Sequence, residues 1–80
     1  MGKYYVYVLG SLKDKGLYIG MTSNLEARIY RHNKGWERTT RIRRPFKMVH
    51  FEMFETRVQA REREKYFKNG YAREILRQMF

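Results

Sequence analysis

The chain has 80 residues, enough for one small domain, and its content of 42% hydrophobic and 16% aromatic residues argues against a disordered tail. It contains no cysteine, which excludes disulfides, a disulfide-linked partner and cysteine-ligated zinc. Eighteen lysines and arginines against eight acids give a formal charge of +10, and a polyanion, nucleic acid rather than membrane, is the simplest reason to carry it.

The sequence carries no pattern typical of a membrane protein. Its longest apolar run covers residues 4–9, whereas a membrane span needs roughly 20 apolar residues. The N-terminus also lacks the pattern of a signal peptide. We therefore expect a soluble, cytoplasmic protein with no membrane partner.

The first elements predict a β-hairpin. Residues 4–9 are rich in aromatic and β-branched side chains, which favours a strand. Residues 10–16 predict a turn, and the alternation of apolar side chains in residues 17–21 predicts a second strand. The two strands are expected to pair in antiparallel fashion.

Alternation along this hairpin brings two tyrosines to one face. If Val6 and Val8 face the core, Tyr7 and Tyr18 share the opposite face, beside Gly20. A glycine within a strand often marks the close approach of another backbone or a ligand. The alternative is structural, because tyrosine is also an ordinary strand residue.

A helix follows the second strand. Ser23 and Glu26 form a capping-box pattern, which predicts a helix that begins near Asn24 and stops at residues 33–35. Arg28 and His32 lie beside its apolar stripe rather than opposite to it.

Two interpretations of these side chains stay open. The structural interpretation is an arginine that extends over the core and a histidine at a helix end. The functional one is that both belong to a site.

Residues 34–47 predict a basic loop. It has one acid, Glu37, and six bases: Lys34, Arg38, Arg41, Arg43, Arg44 and Lys47. This composition is typical of a segment that grips phosphates, with Trp36 available to pack or stack. The alternative is a solvated loop that Trp36 anchors to the core.

The rest of the chain predicts a strand and two helices. Residues 47–54 alternate as a third strand, on which His50 is a rim or sheet-face residue rather than a ligand. Residues 69–70 separate the two helices, and the last helix has an apolar face made by Tyr71, Ala72, Ile75, Leu76, Met79 and Phe80. We predict an α+β fold of order β-β-α-β-α-α, with a three-stranded, mainly antiparallel sheet flanked by helices and residues 1–80 forming a single domain.

The second predicted helix contains one unusual residue, Glu64. This helix covers residues 57–68, and Thr56 is its predicted cap. Glu64 lies between Ala60 and Phe67 on the apolar face, where a carboxylate is costly without a cation or donors. An ion pair with Lys68 is the structural explanation, worth only about 0–1 kcal/mol at a surface. A metal ligand is the functional one.

The chain resembles the GIY-YIG nuclease domain over nearly its whole length. The likeness is to the small bacterial members of that family, and it rests on an ordered set of motifs: Tyr5-Val6-Tyr7, Tyr18-Ile19-Gly20, Arg28 with His32, and Ala60-Arg61-Glu62-Arg63-Glu64 with Lys68. One departure is that Tyr5 stands where the name-giving glycine would.

The resemblance implies hydrolysis of phosphodiester bonds with one divalent ion, Mg²⁺ or Mn²⁺, on Glu64. It implies that Arg28 supplies positive charge to the non-bridging phosphate oxygens and that Tyr7 accepts the proton of the attacking water. Tyr18 would orient water or phosphate, and His32 would orient Tyr7 or contact phosphate. The phenol of Tyr7 has an ordinary pKa of about 10, so a role as base would need that pKa to be lowered by nearby positive charge, which Arg28 or the metal could supply.

The expected function is therefore a structure-directed or weakly specific DNA endonuclease in repair or recombination. RNA, the substrate's structure and the oligomeric state stay open. Gly20 and Lys68 join the loop bases as candidate nucleic-acid contacts. Two alternatives remain: a nucleic-acid-binding module with little or no catalysis, and a domain whose basic surface meets acidic proteins.

Overall fold

The computed structural model describes residues 2–80 and confirms the predicted order of elements. Three strands and three helices form an α+β fold, and a short 3₁₀ turn, Arg41–Arg43, lies in the basic loop. The elements are β1 (Tyr4–Ser11), β2 (Leu17–Thr22), α1 (Leu25–Lys34), β3 (Phe46–Phe54), α2 (Arg57–Phe67) and α3 (Gly70–Met79). Among residues 2–80, no helix has both the length and the apolar character needed to cross a bilayer.

The sheet is antiparallel throughout, with strand order β2-β1-β3. Tyr7 of the central strand therefore has a neighbour on each side, Gly20 in β2 and Phe51 in β3. The register between β1 and β3 shifts between Val8 and Leu9, which is the signature of a bulge.

One face of the sheet carries most of the aliphatic core. Helices α2 and α3 cover this face, and its buried side chains are Val6, Val8, Leu17, Ile19, Ala60, Phe67, Ala72 and Leu76. We call it the aliphatic face. Val6 and Val8 face the core, as the sequence analysis assumed.

The other face is smaller and richer in polar aromatic groups. Tyr7, Leu9 and Phe46 are buried there, and α1 covers them through Leu25 and Ile29. We call it the aromatic face. The alternation of β1 thus assigns successive residues of a single strand to two different environments.

Capping residues explain where the helices begin and end. The predicted cap at Ser23 is wrong, because the Asn24 side chain accepts the hydrogen bond from the Ala27 N–H, 3.1 Å away. Gly35 ends α1 with a positive φ of 81°, which a glycine adopts without strain. Thr56 caps α2 through a complete capping box, as predicted.

Several predicted bounds are short or long by a few residues. β1 continues beyond Leu9 to Ser11, because Gly10 and Ser11 still pair with β3. Residues 34–47 are not all loop, since Lys34 ends α1 and β3 begins at Phe46. Helix α2 ends at Phe67, one residue before its predicted end.

The predicted apolar face of α3 is only half buried. Ala72 and Leu76 are buried against the sheet, whereas Tyr71, Ile75 and Met79 are exposed. The apolar residues span a wider arc of the helix than the sheet can cover.

β3 is an edge strand, and the backbone N–H and carbonyl of its first residue bond to a side chain. The Phe46 N–H donates to Asn33 Oδ1 at 2.7 Å, and Asn33 Nδ2 donates to the Phe46 carbonyl at 3.4 Å. Further along β3, His50 lies edge-on to Phe67, which fits its predicted place on the sheet face.

Candidate active site

A buried chain of hydrogen bonds crosses the aromatic face. Tyr7 Oη lies 3.1 Å from His32 Nε2, and His32 Nδ1 lies 2.8 Å from Thr40 Oγ1. These three residues are each 1% exposed, although they come from β1, the last turn of α1 and the basic loop. Three distant segments of the chain therefore meet at one row of polar atoms.

Burial decides the protonation of this row. It raises the pKa of Tyr7 well above its ordinary value. The Arg28 guanidinium does lower the pKa of Tyr7, but by less than burial raises it. Burial also lowers the pKa of His32, so the row consists of a neutral phenol, a neutral imidazole and a hydroxyl near pH 7.

Tyr18 and Gly20 of β2 enclose the phenol of Tyr7. The Tyr18 ring centroid lies 6.2 Å from that of Tyr7 and 4.8 Å from that of His32. A Cβ atom at Gly20 would lie 2.5 Å from Tyr7 Oη and 2.7 Å from its Cζ. Gly20, predicted as a nucleic-acid contact, is thus a position where the phenol of Tyr7 leaves no room for a side chain.

Arg28 is held by an acid that the sequence did not single out. Its Nη1 lies 3.6 Å from Glu37 Oε2, and the same oxygen accepts a hydrogen bond from Arg31 Nε at 2.7 Å. The hydrogen bond from Arg31 holds the pKa of the Glu37 carboxyl below its ordinary range. The one clue in the sequence was that Glu37 is the single acid of the basic loop.

Glu64 lies at the edge of the sheet formed by β2. Its carboxylate raises the pKa of Tyr7 slightly, so the two groups are close enough to interact. It borders an open cleft with Tyr18, and the full lining is Leu17, Tyr18, Ile19, Glu64, Lys68 and Arg73. Lys68 Nζ lies 3.5 Å from Glu64 Oε2, so the ion pair weighed as a structural explanation is present.

The donor set at this edge suits one kind of metal ion. No three histidine or acidic side chains among residues 2–80 lie close enough together to hold an ion, so a closed protein cage is absent from this part of the chain. Mg²⁺ keeps several waters and is commonly bound through one or two carboxylates plus substrate phosphate. A single, partly exposed carboxylate on an open cleft fits that requirement.

Two of the loop bases hold the loop in place. Arg43 Nε donates to Asp14 Oδ2 at 3.1 Å, and Ser11 Oγ donates to the Arg43 carbonyl at 2.6 Å. Arg44 Nη1 donates to the Arg41 carbonyl at 2.7 Å. The guanidinium groups of Arg43 and Arg44 are therefore occupied within the protein.

The other loop bases predicted as nucleic-acid contacts are not held within the protein in this way. Within residues 2–80, the side chains of four loop bases form neither an ion pair nor a hydrogen bond: Lys34, Arg38, Arg41 and Lys47. All four are exposed to solvent. Trp36 is also exposed and packs edge-on to Tyr30, so it does not anchor the loop to the core.

Comparison with known proteins assigns this arrangement to a class of nuclease-type domains. The family model described as the GIY-YIG catalytic domain matches residues 3–77. Since that match covers nearly the whole chain, the chain belongs to the GIY-YIG family, and the resemblance seen in its motifs is confirmed.

Individual relatives agree with this assignment. A UPF0213 protein of Clostridium perfringens is 51% identical over 65 residues, covering 80% of this chain and 69% of the relative. One from Haloquadratum walsbyi is 42% identical over 77 residues, covering 95% and 84%. The solution NMR structure of a UPF0213 protein from Bacillus halodurans matches with a TM-score of 0.57 and 32% identity, covering 92% and 81% of the two chains. These names state no activity.

Proposed function

We propose that the chain is a metal-dependent endonuclease that hydrolyses phosphodiester bonds in DNA. One observation carries the proposal: Tyr7, Tyr18, Arg28 and Glu64 come from four elements and lie around one end of the aromatic face and its β2 edge. A domain that only binds nucleic acid has no need for that combination of groups. Membership of the GIY-YIG family supports the same general class.

Tyr7 and His32 act together as the base in this proposal. The water O–H bond breaks as Tyr7 takes the proton, and the phenol's own proton moves to His32 Nε2, 3.1 Å away. The hydroxide oxygen forms the new bond to phosphorus while the bond from phosphorus to the leaving oxygen breaks. The imidazolium then returns its proton through solvent to the leaving oxygen, so that both side chains end as they began.

Arg28 supplies positive charge to the phosphate. Its guanidinium leaves the 3.6 Å contact with Glu37 and pairs with the non-bridging oxygens, for which its planar fork is suited. Arg31 keeps the Glu37 carboxylate paired when Arg28 moves, because its own hydrogen bond to Glu37 is the shorter of the two.

Glu64 is the residue proposed to hold Mg²⁺ or Mn²⁺, which when bound supplies charge stabilisation at the leaving oxygen. Lys68, 3.5 Å away, balances the charge of this carboxylate in the free protein. Tyr18 borders the same cleft and would orient the water or the phosphate.

The substrate in this proposal is recognised through its backbone. The four exposed loop bases without an ion pair or side-chain hydrogen bond within residues 2–80 can contact phosphates, and phosphate contacts position a nucleic acid without reading its sequence. This favours structure-directed or weakly specific cleavage in repair or recombination. DNA is the primary candidate and RNA the second, and a cytoplasmic location goes with either.

The test incubates the protein with branched, single-stranded and duplex DNA and either Mg²⁺ or Mn²⁺. We expect Glu64→Gln to lower cleavage at least about 100-fold, since an ion contributes several kcal/mol to the transition state. Glu62→Gln is the matched control, because it makes the same change at an exposed position on the same helix and should cleave like wild type. Equal cleavage by both variants would refute the role of Glu64 and indicate a contaminating nuclease.

A nucleic-acid-binding module is the second candidate, favoured by the four exposed loop bases whose side chains form no ion pair or hydrogen bond within residues 2–80. Under this alternative the wild-type protein binds DNA, with an affinity that falls steeply as salt rises, but leaves every substrate intact. Binding measured beside cleavage in the same samples separates the two functions.

A further inference from the structure

Thr40 is a buried hydroxyl in a loop that is otherwise exposed and charged. It is 1% exposed, whereas its neighbour Thr39 is exposed to solvent. Its one side-chain partner among residues 2–80 is His32 Nδ1, at 2.8 Å. A polar atom buried this deeply is retained because it satisfies the group opposite, here one nitrogen of an imidazole.

The two hydrogen bonds of His32 can be arranged in two ways. Either Tyr7 donates to Nε2 and Nδ1–H donates to Thr40, or Thr40 donates to Nδ1 and Nε2–H donates to Tyr7. A phenol is a much stronger acid than an alkyl hydroxyl, and an unprotonated imidazole nitrogen is a stronger base than a phenol oxygen. The strongest donor and the strongest acceptor therefore pair in the first arrangement.

We propose that Thr40 is a positioning residue that accepts the Nδ1–H of His32 and so keeps Nε2 unprotonated and directed at the Tyr7 hydroxyl. This inference rests on the proposed function, because it concerns the proton transfer from Tyr7 to His32. Without Thr40, the imidazole loses the partner that fixes both its tautomer and its ring orientation.

The surroundings of His32 are consistent with this role. The rings of Tyr18 and Phe46 pack against the imidazole, with centroids 4.8 and 5.9 Å from its own, so that it cannot swing away. The Glu37 carboxylate favours the imidazolium that the proton transfer forms, while Arg28 and Arg31 disfavour it. These charges act on the imidazole in opposite directions, whereas Thr40 forms a direct hydrogen bond to Nδ1.

The test compares Thr40→Val, which keeps the branched shape but removes the hydroxyl, with Thr40→Ser, which keeps the hydroxyl. The ¹⁵N chemical shifts of His32 report its tautomer, and His50 serves as an internal reference because it pairs with Glu52 on the other face. We expect the Nδ1–H tautomer in wild type and Thr40→Ser, and a shift toward Nε2–H in Thr40→Val. Turnover of DNA should fall about 10- to 100-fold in Thr40→Val with little change in KM, and Thr40→Ser should restore it.

Unchanged His32 shifts in Thr40→Val, or an Nε2–H tautomer in wild type, would overturn this inference. Thr40→Ala provides the same comparison if the valine variant does not fold. Failure of wild type to cleave DNA would refute the proposed function alone, because the tautomer comparison requires no substrate.

Discussion

The aliphatic and aromatic faces of the sheet are built from alternate residues of the same strands, yet they differ in chemistry. Val6 and Val8 meet α2 and α3 through side chains without polar atoms. Tyr7, between them in sequence, meets α1 and the basic loop through hydrogen bonds. In a chain this short, a single strand has to serve both packing and the proposed chemistry.

Because the two faces are stabilised in different ways, substitutions on them should have different effects. On the aliphatic face, the folded state is stabilised by apolar area removed from water. The loss of unfolding free energy on substitution therefore follows the side-chain volume that is removed. On the aromatic face, each buried polar atom needs its partner, so a change of one atom can redirect a whole row of hydrogen bonds. Three variants test this contrast between the two faces.

Leu76→Ala should have the largest effect on stability. Leu76 is 3% exposed on the aliphatic face, and truncating it costs about 2–5 kcal/mol of unfolding free energy. The neighbouring Ile75 is 45% exposed, so Ile75→Ala should cost about 1 kcal/mol or less. Urea denaturation measures both, and the fraction of Leu76→Ala that remains folded should cleave DNA as wild type does. Similar costs for the two variants would mean that α3 packs differently.

Gly20→Ala should have an intermediate effect on stability and a severe one on cleavage. The added Cβ would lie 2.5 Å from Tyr7 Oη, so the phenol must move away from His32 at a cost of about 1–3 kcal/mol. Gly70→Ala is the control, because a Cβ there meets nothing within 4 Å. Thermal unfolding and a cleavage assay on both variants check this expectation. Wild-type activity in Gly20→Ala would show that the position of the Tyr7 hydroxyl is unimportant.

The smallest effect should be a pH dependence due to His32. Its folded-state pKa lies below the unfolded value of about 6.5, so between these two pKa values the unfolded chain binds more protons. Stability from this group is complete above pH 6.5 and is lost as pH falls toward the folded pKa, by at most about 1.4 kcal/mol per pH unit. His32→Gln should flatten the wild-type curve in urea denaturation between pH 7 and 5. Parallel curves for the two proteins would contradict the assignment.

The sequence was sufficient for the order of elements and for the faces of the sheet on which the strand residues lie. Period-2 alternation located the strands, and it correctly put Tyr7 and Tyr18 on one face beside Gly20. These patterns are local, and the two antiparallel hairpin strands need only a short turn to pair. The cap at Thr56 was equally predictable from the sequence, because both partners of a capping box lie within one turn.

Contacts between segments far apart in sequence were beyond such reasoning. Thr40 and Glu37 looked like ordinary loop residues, because only the folded loop brings them against His32 and Arg28. Arg43 looked like a phosphate contact, yet Asp14 on the β1–β2 turn occupies it. The sequence also did not show how deeply Tyr7 is buried, and this burial raises the pKa of its phenol by more than Arg28 lowers it.

The hydrogen bonds between Asn33 and Phe46 affect the tendency of β3 to pair with a strand of another copy of this chain. An uncovered edge strand offers free backbone groups to any passing chain and is a seed for aggregation. The carboxamide of Asn33 satisfies the N–H and the carbonyl of Phe46, so a polar side chain imitates a fourth strand where β3 begins. Asn33, near the end of α1, thereby blocks the first residue of this edge strand from pairing with another chain.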